Sequence, residues 1–314
     1  MNSSCILNQY SLHPAQRLQK YSRNLPPRPK YIGGRAGLLS LHWIGEVAPQ
    51  GRMVRGMKRV AVFLYGVMSY AAFFLTFLYA VGFIGNFYVP KSLDSAARVP
   101  FWQALLMDAL LLGIFAVQHS VMARPAFKRV LTRLIPEAAE RSTYVLASSL
   151  ALIALFAYWE PIGGVIWNVE NPLLRLLVSF VFVVGFLIVL IATLLINHFD
   201  LFGLRQVWLY LIERPYTHLE FRTPFFYKYV RHPLYVGWFI AFWATPTMTG
   251  AHLLFAMMTS VYMLMAIRWE ERDLVAVFGS RYENYRKEVP KLVPSLLPYL
   301  GGEESTAGKQ RSTA

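Results

Sequence analysis

The chain has 314 residues, of which 56% are hydrophobic and only 15% charged, with a mean hydropathy of +0.39; a soluble domain carries roughly a quarter charged residues. The net charge of +14 is distributed between apolar blocks rather than along one basic stripe, which argues against nucleic acid as a partner and for a chain threaded through a lipid bilayer. Cys5 is the single cysteine, so an internal disulfide and a multi-cysteine metal site are excluded.

Residues 1–59 are polar, contain ten Lys or Arg and lack the short apolar run of a secretory signal. They are expected to form a disordered cytoplasmic leader, with a short amphipathic piece around Leu38 to Ile44. Val60 to Phe87 and Leu176 to Asn197 carry no charge at all, and roughly 20 apolar residues of helix cross a hydrocarbon core. Four spans are expected, at Val60 to Phe83, Phe101 to Met122, Tyr144 to Trp159 and Leu173 to Ile196, with Trp102, Trp159 and Trp167 near their boundaries.

Orientation follows from the basic residues between spans. The loop after the first span has Lys91 and Arg98; the next has Arg124, Lys128, Arg129, Arg133 and Arg141; Glu160 to Asn171 has none; Asn197 to Arg231 again has five. This alternation puts both termini in the cytoplasm, and a bacterial inner membrane is the expected location.

The last apolar region, Pro233 to Ile267, is interrupted at Ala244-Thr245-Pro246-Thr247, with Gly250 just beyond. It is too long for one span and short for two, and Pro and Gly in such a run mark a turn. The expected fold is therefore all-α and polytopic: four transmembrane helices plus a C-terminal helical hairpin over residues 60–298, with a disordered tail at 299–314. The hairpin brings Arg231-His232-Pro233 beside Glu270-Glu271-Arg272 at the cytoplasmic face. Pro233 suits a first helical position, and the helix start favours an anionic group. Within the second span, Asp108 and His119 lie eleven residues apart and share a face. Ionisable groups in a span usually turn to the bundle interior. No Walker loop, Rossmann glycine fingerprint or His-x-x-x-His zinc spacing occurs, so a cofactor site would have to be built by the hairpin.

Arg231-His232-Pro233-x-Tyr235-x-Gly237, an apolar hairpin, and Glu270-Glu271-x-x-Leu274-x-x-x-Phe278-Gly279-x-x-Tyr282-x-x-Tyr285 together resemble the integral-membrane methyltransferases, including the isoprenylcysteine carboxyl and phospholipid methyltransferases. Phe225-Phe226 stand where that superfamily often has Gly-Pro. Gln118-His119-Ser120 and Asn197-His198-Phe199-Asp200-Leu201-Phe202-Gly203 resemble the NnrU-like branch, and the second segment is similar to the methanethiol S-methyltransferases.

The resemblance implies S-adenosylmethionine (SAM) as methyl donor and a small thiol as acceptor. A thiol acceptor is mostly protonated near neutral pH and calls for a base; His198 is the candidate, with Asp200 orienting it, and His119 is the next base to consider. Tyr229, Arg231, His232, Tyr235, Gly237 and Glu270 or Glu271 are expected to bind the donor, with no metal. Two alternatives stand beside this reading: a prenylcysteine or lipid acceptor, and a non-catalytic accessory or transport protein.

Overall fold

A computed structural model describes residues 49–217, 219 and 221–299 of the chain. The leader up to residue 48, including its amphipathic piece, and the tail beyond Tyr299 lie outside the described residues. In chain order the helices are α1 (Pro49–Gly85), α2 (Phe101–Met122), α3 (Pro125–Leu134), α4 (Glu140–Tyr158), α5 (Pro172–Ile196), the single turn α6 (His198–Leu201), α7 (Leu204–Leu211), α8 (Pro233–Trp243), α9 (Gly250–Phe278) and α10 (Ser280–Glu288). Two short strands, β1 (Val165–Asn168) and β2 (Thr247–Thr249), form one antiparallel ribbon.

This is an all-α, multi-pass integral membrane protein. Among the described residues five helices are long and apolar enough to cross a bilayer, and they fall within α1, the segment Glu137–Tyr158 that contains α4, and α2, α5 and α9. The first begins at Pro49, ahead of the expected Val60, and its 37 residues reach roughly 55 Å, beyond the hydrocarbon core. α5 turns Leu173, Leu177, Phe180 and Leu187 outward, as a lipid-facing helix must in the absence of water. Of the three tryptophans expected near boundaries, Trp159 is instead fully buried and donates its indole N–H to the Leu93 carbonyl.

The interruption after α8 is where the fold is decided. α8 has only 11 residues, about 16 Å of helix, so its far end stops short of a full crossing. The exposed backbone of the turn is satisfied by the connection between α4 and α5. Asn168 pairs with Thr247 and Trp167 with Met248, Val169 N donates to Pro246 O at 2.8 Å, and Gly250 N donates to Gly164 O at 3.0 Å. The Trp167 indole donates to Thr245 O at 3.1 Å. Non-helical backbone at this depth survives because protein covers it. The strands were not anticipated, since Val165-Ile166-Trp167-Asn168 carries no turn signal that separates a ribbon from a loop.

A second fastening lies beside it. His252, fully buried near the start of α9, contacts the Asp94 carboxylate at 3.0 Å and the Phe242 carbonyl at 3.0 Å, and Asp94 also accepts from Thr249 and Asn86. Asp108 accepts from the Glu160 backbone N–H at 2.8 Å. It is therefore an interhelical tie between α2 and the end of α4.

α8 packs along α5 at backbone distance. A Cβ at Gly237 would come within 2.7 Å of the Gly185 carbonyl and 2.8 Å of the Val189 N, and a Cβ at Gly185 within 2.7 Å of the Ala241 N. Gly237 was expected to serve the donor site; its place in the structure is this helix contact, where no side chain fits. Gly237→Val should cost about 1–3 kcal/mol of stability by overpacking, read as a lower melting temperature in detergent. Gly113→Ala, whose added Cβ meets nothing within 4 Å, should leave the melting temperature unchanged or raise it.

Candidate active site

Two environments meet at one end of the bundle. The polar one is assembled as the sequence spacing anticipated. His232 precedes α8, with Pro233 at the first helical position, and Glu270 and Glu271 lie in the last turns of α9. All three acid and imidazole side chains are buried. Glu271 is held by three cationic or imidazole groups: Arg231 Nη2 at 3.1 Å, His232 Nε2 at 3.2 Å and Lys291 Nζ at 3.7 Å. Glu270 accepts from the Tyr235 hydroxyl at 3.2 Å and lies 3.9 Å from His232 Nδ1.

The segment Tyr227–Arg231 is stitched to the chain that follows α10. Arg231 N donates to Pro290 O at 3.0 Å, Ser295 N to Tyr229 O at 2.8 Å, Tyr299 N to Lys228 O at 2.9 Å, and the Tyr285 hydroxyl to Tyr227 O at 2.6 Å. Tyr229 thus enters through its backbone carbonyl. Lys291 lies past the recognised motif and was missed for that reason. Burial holds the Tyr227, Tyr282 and Tyr285 hydroxyls well above the usual phenol range, with Glu270 adding to the rise at Tyr227 and Tyr282. They remain neutral hydroxyls at physiological pH.

The second environment is a cavity of about 120 Å³ bounded by α1, α2, α4, α8 and α9. Its wall is mostly aromatic and aliphatic, with Phe73, Phe77, Phe115, Phe156, Trp238 and Met263 among the lining residues. His119, Tyr144 and Ser148 bring polar atoms to it: the Tyr144 hydroxyl is 2.7 Å from His119 Nε2, and Ser148 Oγ is 3.1 Å from Nδ1. Tyr144 and Ser148 sit one helical turn apart on α4 and were not singled out from the sequence; a four-residue spacing of hydroxyls opposite a buried His was the available signal. Tyr235 also lines the cavity. One side chain therefore touches both environments.

His198 and Asp200 are placed elsewhere. His198 Nε2 lies 2.9 Å from the Tyr70 hydroxyl and Nδ1 lies 2.9 Å from Thr193 Oγ1, so neither nitrogen is bonded to Asp200. Asp200 pairs instead with Arg205 at 2.9 Å and accepts from the Tyr216 hydroxyl at 3.1 Å. The reason is geometric: α6 is a single turn, and adjacent side chains two positions apart on a turn point away from each other. His198 does not line the cavity; it packs against Phe202, which stacks at 3.9 Å on the wall residue Phe73. Burial depresses its pKa, so it ties α1 to the end of α5 as a neutral ring. Gly203, with φ +88°, lets the chain leave α6 where a Cβ would lie 2.7 Å from Ser142 Oγ.

The chain is 60% identical over 238 residues to the methanethiol S-methyltransferase of Crocosphaera subtropica, a match covering 76% of this chain and 93% of that protein. It is 48% identical over 238 residues to the protein of the same name from Mycobacterium tuberculosis, covering 76% of this chain and 98% of the relative. The chain belongs to the methanethiol S-methyltransferase family. A more distant likeness, 28% identical over 194 residues, reaches Nurim of Xenopus laevis, over 59% of this chain and 68% of that protein. No family model and no solved structure matches the chain.

A methanethiol S-methyltransferase fold needs a pocket for a methyl donor, and the polar cluster has unmet capacity for one. Among the described residues the buried Tyr227 hydroxyl, Tyr282 hydroxyl and Arg231 Nε have no hydrogen-bond partner, a costly arrangement unless a ligand completes it. Glu270→Gln should weaken donor binding at least tenfold, since a charge-assisted contact is worth about 1.5–3 kcal/mol, with the melting temperature preserved. Glu271→Gln should lower the melting temperature as well, because Arg231, His232 and Lys291 lose their shared carboxylate. Isothermal calorimetry and thermal unfolding of both variants check this division.

Proposed function

We propose that this protein methylates methanethiol to dimethyl sulfide with S-adenosylmethionine as donor, at the cytoplasmic ends of four membrane spans and a C-terminal helical hairpin, in a bacterial inner membrane with both termini inside. The observation that carries the reading is Tyr235, which lines a small apolar cavity while its hydroxyl meets Glu270 in the polar cluster. A zwitterionic, hydroxyl-bearing donor suits the polar side: Glu270 for its ammonium, Arg231 for its carboxylate, and the Tyr227 and Tyr282 hydroxyls for its remaining polar atoms. An acceptor of two heavy atoms suits the cavity. An apolar void of ~150 Å³ accommodates benzene, so about 120 Å³ is ample for a short thiol.

When bound, the donor supplies an electrophilic methyl group on a positively charged sulfur. The chain's own part is to bring the acceptor alongside, exclude water with aromatic walls, and take the thiol proton. His119 is the base that lines the cavity. Tyr144 and Ser148 fix its ring, as a base must be held within reach of the proton it removes. His198, the first candidate from sequence, acts through structure, and Asp200 anchors the loop through Arg205 and Tyr216.

His119→Gln should cut turnover at pH 7 by about 10²-fold or more while donor binding persists. The loss should shrink toward pH 9.5, because a thiol with a pKa of about 8.5 or higher then supplies its own thiolate. His198→Gln should lose stability with no such pH-dependent recovery. A His119→Gln enzyme with wild-type turnover at neutral pH removes this base. Orientation is tested in a Cys5→Ser background: a cysteine at Glu170 should react with an impermeant reagent outside sealed cells, and one at Ser280 should not.

A further inference from the structure

The cavity is small and its wall mainly aromatic and aliphatic, a lining that meets sulfur and its heavier congener alike. We propose that the same cavity methylates small alkyl selenols, methaneselenol first among them, by a route that does not draw on His119; the proposal rests on the thiol methylation reading above. Phe73, Phe77, Phe115, Phe156, Trp238 and Phe242 supply ring faces and edges around the void. A divalent sulfur beside such rings gains about 0.3–1.5 kcal/mol from its polarisability. Selenium is more polarisable and only slightly larger, so the same contacts hold it at least as well. Hydrophobic pockets reject near-isosteres poorly, since discrimination of that kind requires a polar group left unpaired by the wrong ligand.

The acid–base demand separates the two acceptors. An alkyl thiol is mostly protonated near neutral pH and needs His119 to generate its nucleophile. An alkyl selenol is far more acidic and is already ionised in the cytoplasm, its proton having gone to bulk water. Tyr144 and Ser148 are held on the ring of His119, so the anion is met by the positive edges of the aromatic wall. In the transfer, a selenium lone pair forms the new Se–C bond, the donor's S–C bond breaks with its electron pair going to sulfur, and the products are dimethyl selenide and a neutral thioether. No oxidation or reduction takes place.

The test uses the full chain in detergent or nanodiscs, supplied with S-adenosylmethionine under anaerobic conditions. Methanethiol and methaneselenol are each generated by phosphine reduction of the dimethyl dichalcogenide, and volatile products are read by gas chromatography. The wild-type protein should yield dimethyl selenide from the selenol. In His119→Gln, dimethyl sulfide formation at pH 7 should fall about hundredfold while dimethyl selenide formation falls less than about threefold. Wild-type protein that makes dimethyl sulfide but no dimethyl selenide overturns the selenol activity and leaves the thiol reading standing. Protein that makes neither product removes both. Equal losses in His119→Gln, with melting temperature and donor binding preserved, overturn the independence from His119. If that variant does not fold, the wild-type pH profiles decide: selenol turnover should be flat from pH 6.5 to 9 while thiol turnover rises, and parallel profiles sink the proposal.

Discussion

An eleven-residue helix cannot cross a bilayer, and α8 is such a helix, running through the centre of the site. Its far end would leave unsatisfied backbone groups in the hydrocarbon, where each costs several kcal/mol. The β1–β2 ribbon, the Val169–Pro246 and Gly250–Gly164 hydrogen bonds, and the Asp94–His252 contact remove that cost at this end. At its near end α8 is set against α5 by Gly185 and Gly237, which allow the two backbones to touch. With both ends fixed, His232 and Tyr235 have little freedom left, and α9 must return with Glu270 and Glu271 opposite them.

That fixed geometry juxtaposes two solvents. On one side of Tyr235 lie buried carboxylates, an arginine and phenols that have no partner among the described residues; on the other lies a cavity lined mainly by rings and aliphatic groups. This division suits the proposed methyl transfer from a charged sulfonium donor to a small thiol. The charged donor needs compensating polar groups, and the acceptor needs a dry, close-fitting space in which its reacting atom stays aligned. A site that was polar throughout would hydrate the thiol, and one apolar throughout could not hold the donor.

Two buried histidines, His119 and His198, illustrate how partners set the surroundings of like side chains. His119 has its ring fixed by Tyr144 and Ser148 on the cavity wall. His198 is equally engaged, by Tyr70 and Thr193, but Phe202 and Phe73 stack on the cavity side of it. Only the first reaches the cavity wall, although the Asn197–Gly203 segment is the more distinctive in sequence.

The sequence alone determined the membrane class, the order of the long helices, the break at Ala244 to Gly250 and the pairing of Arg231-His232 with Glu270-Glu271. These follow from local quantities: runs of apolar residues long enough to span hydrocarbon, Pro and Gly where a helix must stop, and two charged motifs at the ends of one hairpin. What only the tertiary structure decided were relationships between distant segments. The ribbon joining residues 165–168 to 247–249, the burial of Trp159, the separation of Asp200 from His198, and the meeting of His119 with Tyr144 and Ser148 across α2 and α4 each depend on how helices rotate about their axes when they pack. Gly237 shows the distinction within a single residue. Its place in the motif was legible, but whether it faced a ligand or a neighbouring backbone was set by the position of Gly185, fifty-two residues earlier in the chain.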